Sequence, residues 1–204
     1  MTRLNLTTFR LRALALPVLI AGLGAGPIAG TAAHAATPTD TAPTTTAAAV
    51  VAHTSDAKSV APVAGLDQTQ MAHAKTIVDT VHEMKLPEKA AVIAVATSMQ
   101  ETNLYNLANT GLPESEGLPN DGTGYDHDSV GLFQQRPASG WGSVNELMDP
   151  ATSAKKFLTA LQQVDGWESM PVTVAAQTVQ GSAFPDAYAK HQDTAQTVVD
   201  ALTK

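Results

Sequence analysis

The 204-residue sequence has no cysteine, nine aromatic residues, and only 12 Lys and Arg against 19 Asp and Glu. Without cysteine there is no disulfide framework, thiolate-bound zinc, iron–sulfur cluster, thiol nucleophile or lipid-anchoring cysteine. Any chemistry therefore falls to carboxylates, imidazoles, hydroxyls and amides. The first 35 residues hold Arg3, Arg10 and Arg12 and no acid, so the rest of the chain sets nine basic residues against 19 acidic ones, a charge of −10. Phosphate binding relies on clustered Lys and Arg that release counterions, and the largest cluster left is Lys155-Lys156. Nucleic acid is therefore excluded as a partner, and an anionic membrane surface is a poor match.

What the amino terminus does have is a targeting pattern. Residues 1–12 are basic, residues 13–28 (ALALPVLIAGLGAGPI) are apolar, and Ala33-His34-Ala35 has the small-x-small form that signal peptidase reads. Pro17, Gly22, Gly24, Gly26 and Pro27 interrupt the apolar run, which argues against a retained membrane anchor. The expectation is export by the general secretory route, cleavage near Ala35, and a secreted product with no stable membrane insertion. Residues 36–66 are rich in Ala, Thr and Pro and lack aromatics, so they read as a disordered linker, either a spacer from a surface or a plain leader.

Residues 67–204 are long enough for one core and show no internal repeat. They read as a single mainly helical domain. Asp67 caps a helix whose apolar positions are Met71, Ala74, Ile77, Val78 and Val81, and Leu86-Pro87 ends it. A second helix starts at Pro87-Glu88, and its run AAVIAVATSM is apolar on every side, as a buried central helix requires. Residues 103–129 carry four Gly, two Pro and many Asn, Asp and Ser, the composition of a long surface loop of the kind that is often functional. Further helices open at Asp149-Pro150 and Pro171, and the last runs from about Asp186 or His191 to Leu202. No strand-like alternation is longer than GLFQQ.

Glu101 is the first acid after Glu88 and stands at the end of the buried helix. The negative end of the helix dipole and an apolar wall would both disfavour its ionisation. A carboxyl group kept protonated near neutral pH is what a general acid needs to protonate a glycosidic oxygen. The plain alternative is a Glu facing solvent where the helix frays. A second element, Ser129-Val130-Gly131-Leu132-Phe133-Gln134-Gln135, follows the long loop at a spacing that allows it to fold back beside Glu101.

Together, ATSMQETNL, a variable loop and SVGLFQQ resemble the lysozyme-like superfamily, specifically lytic transglycosylases, goose-type lysozymes and resuscitation-promoting factors. Glu101-Thr102-Asn103-Leu104 matches the family's helix-terminal Glu element, and Gly131-Leu132-Phe133-Gln134 matches its G-L-M-Q element with Phe for Met. The resemblance implies a muramidase-type glycosidase acting on peptidoglycan glycan strands, Glu101 as acid and then base, and a sugar groove lined by Gln134 and the backbone around Gly131. It implies no cofactor. The family's A-A-Y-N-A-G helix falls on Ala175 to Gln180, where Gln177 replaces Tyr, so a hydroxyl that orients the acid must come from elsewhere, for example Tyr188, or be absent.

Hydrolysis needs a second carboxylate, roughly 5 to 9.5 Å from the first. The loop offers Asp121, Asp126 and Asp128, of which Asp128 is nearest in sequence to GLFQ. A transglycosylase needs one carboxylic acid only, because the C6 hydroxyl of muramic acid attacks in place of water and gives a 1,6-anhydro product. Both outcomes stay open, as does a wall-binding module of the same fold without chemistry. Ser129, Gly131, Gln134, Gln135, Tyr105, Tyr125, Trp141 and Tyr188 are candidate substrate contacts, the aromatics stacking on sugars or filling the core. Phe133 and Phe157 read as core. The acidic loop fits neither an EF-hand nor an HExxH zinc site, so no metal is expected. A monomer is expected.

Overall fold

The computed structural model describes residues 60–181, 184 and 186–204. The proposed signal sequence and most of the linker lie outside these residues. The described part is mainly helical. Its order is α1 (Gln68–Glu83), α2 (Glu88–Thr102), β1 (Leu107–Asn109), α3 (Pro113–Glu116), β2 (Gly122–Gly124), α4 (Val144–Leu147), α5 (Pro150–Leu161), α6 (Val172–Gln180) and α7 (Gln192–Leu202). None of these helices is long and apolar enough to cross a membrane.

Local chemistry explains where the helices start. Asp67 accepts from the Gln70 N–H at 2.9 Å while the Gln70 side chain accepts from the Asp67 N–H at 2.7 Å, a reciprocal capping box. Asp149 caps α5 by accepting from the Thr152 N–H at 2.8 Å, with Pro150 pre-set for the first helical turn. Between Pro87 and Asn103 the sequence has no residue that breaks a helix, and α2 runs through it uninterrupted.

Every residue from Ala90 to Met99 is buried, and α2 packs against α1, α5, α6 and α7. Its many alanines let these neighbours approach closely. Each Val or Ile removed from water there contributes about 1.5–3 kcal/mol. The folded part begins before Asp67: Leu66 is buried, and Val60 and Val63, assigned to the linker by composition, pack against the core.

The 103–129 stretch differs from a plain surface loop. Its β1 and β2 pair in parallel, Leu107 opposite Gly122 and Asn109 opposite Gly124, with α3 in the connection. A second, smaller apolar cluster of Ala108, Val130, Val144, Leu147 and Met148 lies beneath it. The GLFQQ run is not a strand but a turn closed by an antiparallel bridge between Val130 and Gln135. Phe133 leaves that turn to stack on Phe157 of α5, with ring centroids 4.8 Å apart and planes 14° apart.

Candidate active site

Glu101 occupies the last turn of α2 and is half-buried. The helix stops just beyond it because Asn103 and Leu104 both turn left-handed, φ 54° and 63°. Leu104 has no conformational excuse for that geometry, which costs a β-carbon-bearing residue about 1–2 kcal/mol. It holds because Leu104 is fully buried and its N–H closes on the Ser98 carbonyl. His127 and Gln134, at φ 49° and 47°, extend this set, so among the described residues four of the six non-glycine residues with positive φ flank Glu101 or the elements facing it. Strain of this kind collects where surrounding structure imposes a site geometry.

Two hydroxyls of α2 join the helix end to the 129–135 turn. Ser98 Oγ and Thr102 Oγ1 both donate to the Leu132 carbonyl, at 3.1 and 3.0 Å. The Gly131 N–H donates to the Leu107 carbonyl at 2.8 Å, which fixes the turn to β1 as well. The next carbonyl, on Phe133, accepts from Gln180 Nε2 at 2.9 Å. The two sequence elements that carry the family resemblance are thus directly bonded to each other in space.

Three elements meet the Glu101 carboxylate. Tyr188, which precedes α7 and is buried, donates its hydroxyl to Glu101 Oε1 at 2.8 Å. The Gln180 side chain at the end of α6 favours the ionised form of Glu101, and the negative charge of Asp126 opposes ionisation from the loop. Burial pushes the Glu101 carboxyl above the ordinary carboxylate range, the Asp126 charge adds to that, and the Tyr188 and Gln180 hydrogen bonds oppose it without cancelling it. A raised carboxyl flanked by polar donors can give up a proton and take one back.

The other expected site residues divide. Asp126 accepts from the His127 Nδ1 at 2.8 Å and is the loop carboxylate that acts on Glu101. Ser129 is buried, its hydroxyl 3.4 Å from Asp126 Oδ2 and its carbonyl bound by Asn109. Gln134 is half-buried and turns its amide back onto the Gly131 carbonyl at 3.2 Å. Tyr125 is 81% exposed beside Asp126, and Trp141 lies half-buried against the second apolar cluster. Asp121 is taken up by His73 and the Asn106 N–H, both at 2.7 Å.

Of the remaining four, two side chains are held by other partners and two are enclosed. Asp128 is not a free second carboxylate: Arg136 Nε donates to one oxygen and the Ala138 N–H to the other at 2.7 Å. Burial alone would raise its pKa, but these donors outweigh it and hold the carboxyl below the usual range. Gln135 cannot line a groove, because it is only 2% exposed and its Nε2 donates to Ser153 of α5 at 3.3 Å. Tyr188 cannot stack on a sugar for the same reason of burial, and its hydroxyl is turned to Glu101. Tyr105 gives its hydroxyl to Asp67 at 2.6 Å, bracing the start of α1.

Removing the Asp128 charge, by Asp128→Asn, is expected to cost about 1–2 kcal/mol at neutral pH, since Arg136 loses a charged partner. A lowered folded pKa means this contribution is present above the unfolded value of 3.8 and is lost as pH falls through the folded pKa. Denaturant melts of both proteins should therefore converge in acid.

Gln180 was missed by sequence reasoning. No local signal marks it, because its partners come from α2 and the 129–135 turn. Among the described residues no three acidic or imidazole side chains converge as metal ligands. A separate cleft of about 370 Å³ lies at the other end of α2, between Val92, Met170, Val172 and Gln196. Of its two charged residues, Lys89 is committed to the Glu168 and Met170 carbonyls, both at 2.6 Å, and Glu88 accepts from Gln196 Nε2 at 3.0 Å. No family model matches the chain, and no curated protein is significantly similar to it.

Proposed function

We propose that this protein is an exported enzyme that cleaves the β-1,4 bond between N-acetylmuramic acid and N-acetylglucosamine in peptidoglycan. The observation that carries the reading is Glu101: a carboxyl raised by burial at the end of the central helix, gripped by Tyr188, and bonded through its own helix to the Gly131–Gln134 turn. Protonated Glu101 donates to the glycosidic oxygen as the bond to the muramic-acid C1 breaks. The C6 hydroxyl of the same sugar then attacks C1 and passes its proton to the Glu101 carboxylate. The product is a 1,6-anhydro sugar, no water is consumed, and the enzyme returns to its starting protonation state.

The commitment of Asp128 to Arg136 and Ala138 supports the non-hydrolytic route, because it removes the candidate nearest the turn. A lysozyme-type hydrolase is the second reading, and the charge of Asp126 felt at Glu101 favours Asp126 as its second carboxylate. Mass spectra of muropeptides released from purified peptidoglycan separate the two. Anhydro products, lighter by one water than reducing ends, are expected. Reducing ends would establish the hydrolase, and no release by the folded protein would leave a wall-binding module.

The raised Glu101 pKa also fixes the sign of the pH dependence. The acid must be protonated in the resting enzyme, so kcat/KM should be high in the acidic to neutral range and fall as pH passes the Glu101 pKa. A rate that climbs steadily to about pH 9 would contradict Glu101 as the donor.

A further inference from the structure

We propose that Gln180 and Tyr188 form a two-point clamp that positions the Glu101 carboxylate, with Gln180 transmitting the position of the 131–134 turn to it. The inference rests on the reading of Glu101 as acid and base, and it joins the Tyr188 hydroxyl to a second side chain, Gln180, at the acid. The residue at the motif position, Gln177, is not the one that reaches the acid.

The geometry of Gln180 settles which way its amide faces. Its Nε2 donates to the Phe133 carbonyl at 2.9 Å, an acceptor that cannot be satisfied by the amide oxygen. The second N–H of the same nitrogen is then free to serve the Glu101 carboxylate, also an acceptor. In the clamp that N–H reaches the carboxylate, so one amide group would join the backbone of the turn to the acid. Tyr188 is only 1% exposed, and its hydroxyl reaches Glu101 Oε1 at 2.8 Å. Two donors that arrive from α6 and from the segment before α7 leave the carboxylate little freedom to rotate about its last torsion. An acid that must donate and then recover a proton at nearly the same place gains from that restriction.

The clamp also has a chemical consequence. Both donors bind the ionised form of Glu101 better than the neutral form, so they oppose the effect of burial. They keep the carboxyl acidic enough to release its proton while burial keeps it basic enough to recover one. Gln180 and Tyr188 are positioning residues in this scheme, since neither needs to touch the substrate.

The test is a ¹³C NMR titration of the side-chain carboxyls in the glutamate-labelled, purified protein, with the Glu101 signal assigned by its loss in Glu101→Gln. Gln180→Leu and Tyr188→Phe are each expected to raise the proton affinity of Glu101 by roughly threefold to tenfold, the effect of losing one hydrogen bond to a charged group. Gln180→Glu, close in size to the native side chain, should raise it further by placing a like charge beside the acid. The alkaline limb of the pH–rate profile should move up with the titration midpoint. An unchanged midpoint in folded Gln180→Glu and Tyr188→Phe overturns the clamp, even if the protein cleaves peptidoglycan. Raised midpoints in a protein that releases no muropeptides support the clamp and remove the cleavage reading, so the two fail separately.

Discussion

Glu101→Gln is expected to lower muropeptide release by about 10³-fold or more, the loss that follows removal of a general acid and base. The substitution keeps the size of the side chain and an oxygen that can still accept from Tyr188 at the same place. Only the transferable proton disappears. Stability should move the other way from activity. A carboxyl whose folded pKa is raised contributes fully below its unfolded value of 4.5 and loses that contribution as pH rises through the folded pKa. At neutral pH, well above the unfolded value, the buried carboxyl therefore weighs against folding, and the Gln variant should melt at the same temperature or higher. Parallel calorimetry and muropeptide assays check both halves. A variant that loses activity together with more than about 2 kcal/mol of stability would indicate a structural Glu101 instead.

The second large effect concerns Gly131. Its φ is 76°, and a β-carbon there would sit 2.1 Å from the Leu147 carbonyl oxygen and 3.1 Å from the carbonyl carbon, both backbone atoms that cannot rotate aside. Gly131→Ala must therefore displace the end of α4, break the Gly131 N–H bond to Leu107, or rebuild the turn. The left-handed conformation and the overpacking together should cost about 3 kcal/mol or more. For a domain of this size that corresponds to a fall in Tm of about 10 °C. Gly140 supplies the control, since its φ of 83° is similar and nothing lies within 4 Å of its would-be β-carbon. Gly140→Ala should cost only about 1 kcal/mol, the conformational part alone. Equal losses at both positions would show that the crowding at Leu147 is relieved cheaply. Peptidoglycan cleavage by Gly131→Ala should fall further than its folded fraction, because the turn it distorts carries the Phe133 carbonyl that binds Gln180.

Much of the helical frame was legible from local chemistry. Asp67 and Asp149 cap helices by bonds to residues three positions on, and Pro87, Pro150 and Pro171 mark helix starts through their own fixed φ. The spacing of Met71, Ala74, Ile77, Val78 and Val81 identifies the buried face of α1 without reference to its neighbours. The paired strands were not legible. Leu107–Asn109 and Gly122–Gly124 are three residues each, too short for an alternating pattern, and parallel pairing depends on partners outside the strand itself. Burial separates candidates that look alike in the sequence: Gln135 and Tyr188 are as polar there as Tyr125, yet the fold encloses the first two and exposes the third.

By itself, the sequence determined that thiol and clustered-basic chemistry are absent, that the folded part is mainly helical, and that an acid stands at the end of its most apolar helix. Those properties depend on composition and on contacts within a few residues. Tertiary structure decided the environment of that acid. Tyr188 lies 87 positions from Glu101, and Gln180 and Asp126 approach from two other segments. Desolvation and hydrogen bonding act over a few ångströms of space, whatever the distance along the chain, so the pKa of Glu101 belongs to the packed assembly of α2, α6, the 129–135 turn and the segment before α7.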